Sequence, residues 1–305
     1  MGRPVLESKL AAVKLITWNI QWGRGADGRV DLDRIVSHAR QLADFDVLCL
    51  QEVSAGYPEL PGCDGADQFA ALAARLPGFT RLDGIAVDAP HASGQRRYFG
   101  NAIFSRLPVA SVFRHLLPWP VDAAVPSMQR IALEATLLTP IGPLRVTTTH
   151  LEYYSALLRA AQVDRLRELH AEASLHASTP RPGTPALGPF DRTPRGGPAI
   201  LVGDFNMKPD AAERIRLQSP IDAATPRYLD AWERLYPGRE QPPTVGVHDH
   251  AQWPGPPFTF DFAFVSEDLV PRLRELRVDA GSDASDHQPL VLEIDTEGRQ
   301  APAQG

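Results

Sequence analysis

Five short segments of this chain carry residues that can work on a phosphate ester. Asp204 and Asn206 lie in Leu201-Val202-Gly203-Asp204-Phe205-Asn206, the most informative of the five. Asn19 lies in Thr17-Trp18-Asn19-Ile20, Glu52 in Leu50-Gln51-Glu52-Val53, and His150 in Thr147-Thr148-Thr149-His150-Leu151. Asp286 and His287 stand in Ser285-Asp286-His287-Gln288-Pro289-Leu290. Each segment adjoins a run of strand-forming residues. Carboxylates, amides and imidazoles gathered at strand ends are what metal-assisted phosphate chemistry requires. Taken singly, each residue has a plainer reading. Glu52 could be a solvated charge, Asn19 a turn residue or helix cap, and Asp286 a turn-forming Asp before a strand.

The elements that would position these residues follow from the hydrophobic pattern. Strands are expected at Val13 to Ile20, Asp46 to Leu50, Gly100 to Ser105, Ile131 to Leu138 and Leu144 to Thr149. Further strands are expected at Ala199 to Val202, Phe258 to Val265 and Leu290 to Ile294. Asp31 can cap a helix with Leu32, Ile35, Val36 and Ala39 on one face. A helix is predicted over Gln68 to Arg75, and a long one from about Ser155 to His176. In the long helix Val163, Leu166, Leu169 and Ala173 share a face. Residues 178–198 and 241–257 are rich in proline, and both are expected as loops. Paired strands interspersed with helices suit an α+β fold with two sheets packed face to face.

Composition narrows the classes. With 305 residues and 43% hydrophobic content, one large domain over 1–305 is expected. Its core would span about 14–294, and residues 296–305 would form a disordered tail. A net charge of −6 argues against broad coating of nucleic acid, though not against a local basic groove. Cys49 and Cys63 lack zinc-type spacing and suit a reducing compartment as unpaired thiols. No signal-type apolar run precedes Lys14, and no stretch approaches a membrane span. A cytoplasmic protein without a membrane span, and a monomer, is the expectation.

In order along the chain, Trp18-Asn19, Gln51-Glu52, Thr149-His150-Leu151 and Gly203-Asp204-Phe205-Asn206 are followed by Asp261 in Phe258-Thr259-Phe260-Asp261-Phe262 and by Ser285-Asp286-His287. With these motifs the sequence resembles the endonuclease/exonuclease/phosphatase superfamily, the group containing deoxyribonuclease I. The resemblance runs from about Lys14 to Ile294. It implies a four-layer α/β/β/α sandwich of two mixed β-sheets flanked by helices, with the site at one edge of the sheets. It also implies Mg²⁺ or Mn²⁺ and hydrolysis of a phosphate ester. Glu52 would be the principal metal ligand, with Asn19 and Asp286 supporting the ion or its waters; Mg²⁺ prefers oxygen and keeps several waters beside one or two carboxylates. Asp204 would position the attacking water, and Asn206 would bind a phosphate oxygen. Asp261 would hold one ring nitrogen of His287. Family members are read with either Asp204 or His287 as the base. His150 would donate to the phosphate; the abasic-site endonuclease branch usually has Tyr there. The sequence departs from the family's common Arg-Ile-Asp-Tyr at Thr259-Phe260-Asp261-Phe262. It also lacks the Trp-Cys-Asp-Arg pattern of the inositol-polyphosphate 5-phosphatases.

Arg96, Arg97 and Arg130 are candidates for substrate binding, the first two beside Tyr98 and Phe99. Trp253 could border the groove or serve in packing. The expected activity is that of a divalent-metal-dependent phosphoesterase, a phosphodiesterase with nuclease activity first. Its partner would be a phosphate-ester substrate, nucleic acid among them. The alternative is a phosphodiesterase or phosphatase acting on a lipid headgroup or small phosphorylated metabolite. A noncatalytic binding module on the same fold would lack one of these residues, and this chain has them all. Substrate choice is expected to lie on loops, here residues 54–67, 84–99, 114–128, 178–198 and 241–257.

Overall fold

A computed structural model describes residues 10–91, 94–179, 188–190 and 193–297. In chain order it begins β1 (Ala12–Asn19), α1 (Leu32–Leu42), β2 (Val47–Ala55), α2 (Gln68–Arg75), β3 (Thr80–Pro90), β4 (Arg96–Ser105) and β5 (Val109–Leu116). There follow β6 (Ile131–Thr139), β7 (Gly142–His150), α3 (Ala156–Ser178), β8 (Ala199–Asp204), α4 (Ala212–Gln218) and β9 (Tyr228–Asp230). The described chain closes with α5 (Ala231–Leu235), β10 (Asp261–Ser266), β11 (Leu273–Val278) and β12 (Leu290–Asp295).

The strands form two six-stranded sheets, ordered β11-β12-β1-β2-β4-β3 and β5-β6-β7-β8-β10-β9. Each sheet has one parallel pair at its middle, β1 with β2 and β7 with β8. The flanking pairs are antiparallel, including β1 with β12 from Ala12↔Asp295 to Thr17↔Leu290. Side chains on a strand alternate between faces, and that period builds the layers. Val13, Leu15, Val47 and Cys49 of one sheet meet Val146, Ile200, Val202 and Ala263 of the other. The opposite parity of the first sheet, Ile16, Leu48 and Leu50, packs on Ile35 and Val36 of α1 and Leu72 of α2. On the second sheet, Leu201, Phe262 and Phe264 pack on Val163, Leu166 and Leu169 of α3. The result is the α/β/β/α sandwich that the resemblance implied.

The helices start where their caps stand. Asp31, Asp67 and Ser155 each accept a backbone N–H three residues on, at 2.9, 3.0 and 3.3 Å. The strands differ more from expectation. β3, β5, β9 and β11 have no counterpart in the hydrophobic pattern, and each lies at the edge of its sheet. An edge strand exposes one side to water, so its apolar signal is diluted. The expected loop 84–99 is thereby largely the β3–β4 hairpin. β10 begins at Asp261 rather than Phe258, because Phe258 turns away to bridge Val245. The tail expected from Thr296 lies outside the described residues from position 298 on. Cys49 is buried, Cys63 is half-buried, and both are free thiols. Among the described residues no helix is long and apolar enough to cross a membrane.

Under α3 the outer face of the second sheet holds a charged group. Arg145 of β7 is buried and pairs with Nδ1 of His170. Nε2 of His170 donates to the Pro226 carbonyl at 2.6 Å, and the ring stacks on Tyr228 at 4.0 Å. The imidazole is therefore held neutral. Burial and then the Arg145 charge push it down to about 4. The unfolded chain, with its histidine near 6.5, binds that proton first as pH falls. The contribution of His170 to stability is thus complete above about 6.5 and is lost as pH falls toward 4, by up to ~3 kcal/mol. In urea unfolding between pH 7 and pH 4.5, the wild-type chain should lose more stability than His170→Gln. Parallel losses in the two proteins would refute this assignment.

Candidate active site

The site forms where the apolar stripe between the sheets runs out. Val13, Leu15 and Thr17 lead on the same parity to Asn19, and Val146 and Thr148 lead to His150. Ile200 and Val202 lead to Asp204, and in the antiparallel strand Val265 and Ala263 lead to Asp261. Four strands that fill the inter-sheet core thereby deliver polar ends to one edge. Just beneath them Nε2 of Gln51 donates to Thr17 Oγ1 at 3.2 Å and to Thr148 Oγ1 at 2.8 Å. That amide ties the two sheets together under the site.

Glu52 reaches the site by a different device. The pleat of β2 would send it, with Leu48 and Leu50, toward the helices. The pairing of β2 with β4 shifts between Leu50↔Ala102 and Val53↔Gly100, so Gln51 and Glu52 together oppose one residue, Asn101. Glu52 takes φ +60° at this bulge. A left-handed non-glycine residue costs about 1–3 kcal/mol, and here the bulge re-aims a carboxylate. Gly203, at φ +138°, is required for a related reason. A Cβ there would lie 1.9 Å from the Thr149 carbonyl oxygen.

Asp204 is the hub. Its Oδ2 accepts from Asn19 Nδ2 at 3.0 Å and lies 3.4 Å from His150 Nε2 and 3.8 Å from His287 Nε2. Its Oδ1 accepts from the Asn206 backbone N–H at 2.9 Å. Asn19 Nδ2 also donates to Glu52 Oε1 at 3.1 Å, and its oxygen accepts from the Gln21 N–H at 3.1 Å. Asn19 thus joins the two carboxylates. His150 Nε2 lies 3.9 Å from Glu52 Oε1. Asn206, at φ +49°, donates its side-chain amide to the Leu151 carbonyl at 2.9 Å.

Asp204 and Asp261 are direct partners across the β8–β10 ladder. Like charges so placed repel, and His287 stands between them. Its Nδ1 meets Asp261 Oδ2 at 2.8 Å, the orienting contact expected from the sequence. Burial alone would depress His287, but Asp261, Asp204 and Asp286 outweigh it and hold the imidazole well above its usual range. Burial pushes Asp204 up to about 7, opposed by His287 and reinforced by Asp261. Burial and then Asp286 raise Glu52, against the pull of Asn19, His287 and Arg130. His150 goes the other way. Burial, Arg130 and His287 keep it well below the ordinary histidine value, hence neutral.

Arg130 is buried, with Nε 3.5 Å from Glu152 Oε2, and it lines a small cavity with His150, Asn101 and Met128. Its Nη1 has no hydrogen-bond partner among the described residues. Arg96 and Arg97 belong to β4 rather than to a loop, and their heads are held elsewhere. Arg96 pairs with Asp88 at 2.7 Å; Arg97 pairs with Glu59 at 2.8 Å and covers the Tyr57 ring. Sequence reasoning passed over Gln21 and Gln252. Both donate to Asp286 Oδ2, at 3.1 and 2.9 Å, and Trp253 Nε1 adds a third bond at 3.0 Å. Nothing in their spacing could have signalled this, since Gln252 lies 34 residues from its partner. Trp253 also packs edge-on against Tyr153 and Phe258.

One group among the described residues could hold a divalent cation. Asp204, Asp261 and His287 each offer a ligand atom, all within 4.8 Å of one another. His287 Nδ1 is already engaged by Asp261 and the ring is held protonated, which leaves the carboxylate oxygens of this group. Glu52 and Asp286 are two further carboxylates close enough to repel each other, and hard cations prefer such oxygens. Their mutual repulsion, visible in the raised Glu52, is what a cation would relieve.

A family model described as Endonuclease/Exonuclease/phosphatase family matches residues 16–287. The comparison with curated proteins found no match. Among solved structures, an endonuclease/exonuclease/phosphatase from Beutenbergia cavernae is similar with TM-score 0.62 and 22% identity, over 94% of this chain and 72% of that one. One from Bacteroides vulgatus has TM-score 0.65 and 18% identity, over 94% of this chain and 99% of that one. A 3′ phosphatase from Neisseria, bound to a product DNA hairpin, has TM-score 0.57 and 21% identity, over 93% of this chain and all 100% of that one. With its motifs in order on the two-sheet frame, the chain belongs to the endonuclease/exonuclease/phosphatase family of phosphate-ester hydrolases.

Proposed function

We propose that the chain is a divalent-metal-dependent phosphodiesterase that cleaves nucleic acid. The observation that carries this reading is the arrangement at Asp204. One buried carboxylate faces two imidazoles, a neutral His150 and a cationic His287, across gaps of 3.4 and 3.8 Å. A water bound beside Asp204 and His287 has a proton acceptor within reach in the Asp204 carboxylate. His150, the Arg130 guanidinium and the His287 Nε2–H are donors for nonbridging phosphate oxygens as charge accumulates. The Asn206 side-chain amide sits beside them with one N–H on Leu151, leaving its other N–H for phosphate. Asn19 keeps Glu52 and Asp204 at a fixed separation. A cation held by Glu52 and Asp286 would supply Lewis-acid stabilisation of the phosphate.

Tyr153 and Tyr154 support a nucleic-acid substrate. They follow His150 closely and are 39% and 58% exposed, faces on which a base can stack. The Neisseria relative, bound to DNA, supports the same class. The free thiols Cys49 and Cys63 support a reducing compartment, so the reading includes a cytoplasmic location. One observation favours a second reading, a small phosphate ester or lipid headgroup. Arg96 and Arg97 are neutralised by Asp88 and Glu59, so neither offers a free charge to a long polyanion.

Supercoiled plasmid with Mg²⁺ should be nicked by the wild-type chain and not by Asp204→Asn, whose rate should fall about 10²–10⁴-fold. Both Asp204 oxygens accept a hydrogen bond and an amide keeps only one acceptor, so thermal unfolding of this variant is followed alongside to show that lost turnover is not lost fold. Glu52→Ala should raise the half-saturating Mg²⁺ concentration more than tenfold, and chelation should abolish cleavage by wild type. Full turnover in Asp204→Asn would sink the mechanism. Hydrolysis of a small phosphate ester, with plasmid and RNA untouched, would move the assignment to the second reading.

A further inference from the structure

The Asp286 carboxylate is bound asymmetrically, and the cause lies outside the motifs. Oδ2 accepts three hydrogen bonds, from Gln21 Nε2, Gln252 Nε2 and Trp253 Nε1. Among the described residues Oδ1 meets only the Ser285 hydroxyl, at 3.3 Å. That hydroxyl has one proton, and the Asn19 carbonyl lies closer to it, at 2.8 Å. Oδ1 therefore keeps its lone pairs, while Oδ2 is saturated.

The two glutamine amides are not free to choose their orientation. Arg24 Nη1 donates to Gln21 Oε1 at 3.1 Å and to Gln252 Oε1 at 3.2 Å. Gln21 Nε2 donates to Gln252 Oε1 at 2.8 Å. With both amide oxygens drawn to Arg24, both NH₂ groups must turn to Asp286. Arg24 is itself held by Asp249, buried and 3.5 Å away. Asp249 in turn accepts the Gln252 N–H at 2.9 Å, and its carbonyl accepts the Trp253 N–H at 3.0 Å. Gln21 is turned toward this group by φ +43° at the end of β1.

We propose that Arg24, Gln21, Gln252 and Trp253 form a positioning clamp that fixes the Asp286 carboxylate with Oδ1 open, and so sets the cation affinity of the site. The inference rests on Glu52 and Asp286 being cation ligands, as in the proposed function. The clamp touches neither substrate nor cation; it acts through Asp286. A carboxylate fixed beforehand loses less freedom when it ligates. Partners of this outer kind typically govern cation affinity 10–100-fold. Arg24 is the informative position, since it acts one hydrogen bond further out and is 21% exposed.

The experiment measures Mn²⁺ binding to the whole chain by calorimetry or electron paramagnetic resonance, beside Mg²⁺-dependent hydrolysis. Arg24→Met and Trp253→Phe should each weaken Mn²⁺ binding about tenfold. The half-saturating Mg²⁺ concentration should rise in parallel, while turnover at saturating cation falls less than about threefold. Arg24→Lys, which keeps a donor, should recover part of the affinity. A merely structural role would lower thermal stability and turnover together without this split. Unchanged Mn²⁺ affinity in both variants overturns the clamp and leaves the phosphodiesterase reading intact. Lost turnover with unchanged affinity overturns it as well. Equal Mn²⁺ binding by wild type and Glu52→Gln would overturn the cation-ligand assignment, and the clamp with it.

Discussion

Negative charge gathered at the joint edge of two sheets is the constraint on which this molecule turns. Glu52, Asp204 and Asp261 are carried there by largely apolar strands and Asp286 by the segment before β12, and Asp204 faces Asp261 directly across a ladder. Such a cluster opposes folding unless each oxygen finds a donor or a counter-charge. The surrounding polar side chains meet that need. His287 stands between the two aspartates, Asn19 joins Asp204 to Glu52, and Arg130 lends positive charge from beside His150. The negative charge that remains makes the edge suitable for a cation and for a phosphate that arrives with one.

Rigid placement follows from how these residues are mounted. Asn19, His150, Asp204 and Asp261 continue the inward-facing parity of their strands, so the packing of Leu15, Val146, Val202 and Ala263 fixes their direction. Glu52 is the exception, and the bulge in β2 turns it inward at the cost of a left-handed residue. Backbone strain of this kind persists only where the surroundings over-determine it. Here the ladder to β1 on one side and to β4 on the other does so.

The order of the motifs and the buried central strands were legible in the sequence, because an apolar run ending in a polar residue is a local signal. Leu201 and Val202 announce Asp204, and Thr147 to Thr149 announce His150. The edge strands β3, β5 and β11 were not legible, since side chains on both their faces are partly exposed, and β9 is only three residues long. The bulge at Glu52 was also hidden, because it is a property of pairing with β4 rather than of β2 alone. Arg96 and Arg97 looked like a phosphate clamp only while Asp88 and Glu59 were unknown neighbours. The bonds of Gln21, Gln252 and Trp253 to Asp286 join segments far apart in the chain, so composition carries no trace of them. The contact of His287 with Asp261, by contrast, was foreseen from the family resemblance.

The pairing of β1 with β12 decides when a newly made chain becomes chemically competent. β1 is the first described strand to leave the ribosome and β12 the last, yet they lie side by side. Asp286 and His287 stand just ahead of β12. Until they arrive, Asp204 and Asp261 face each other with no imidazole between them, and β1 has an open side. A chain interrupted before this point holds most of the core but lacks Asp286 and His287. The acidic edge is thus completed only when β12 docks on β1.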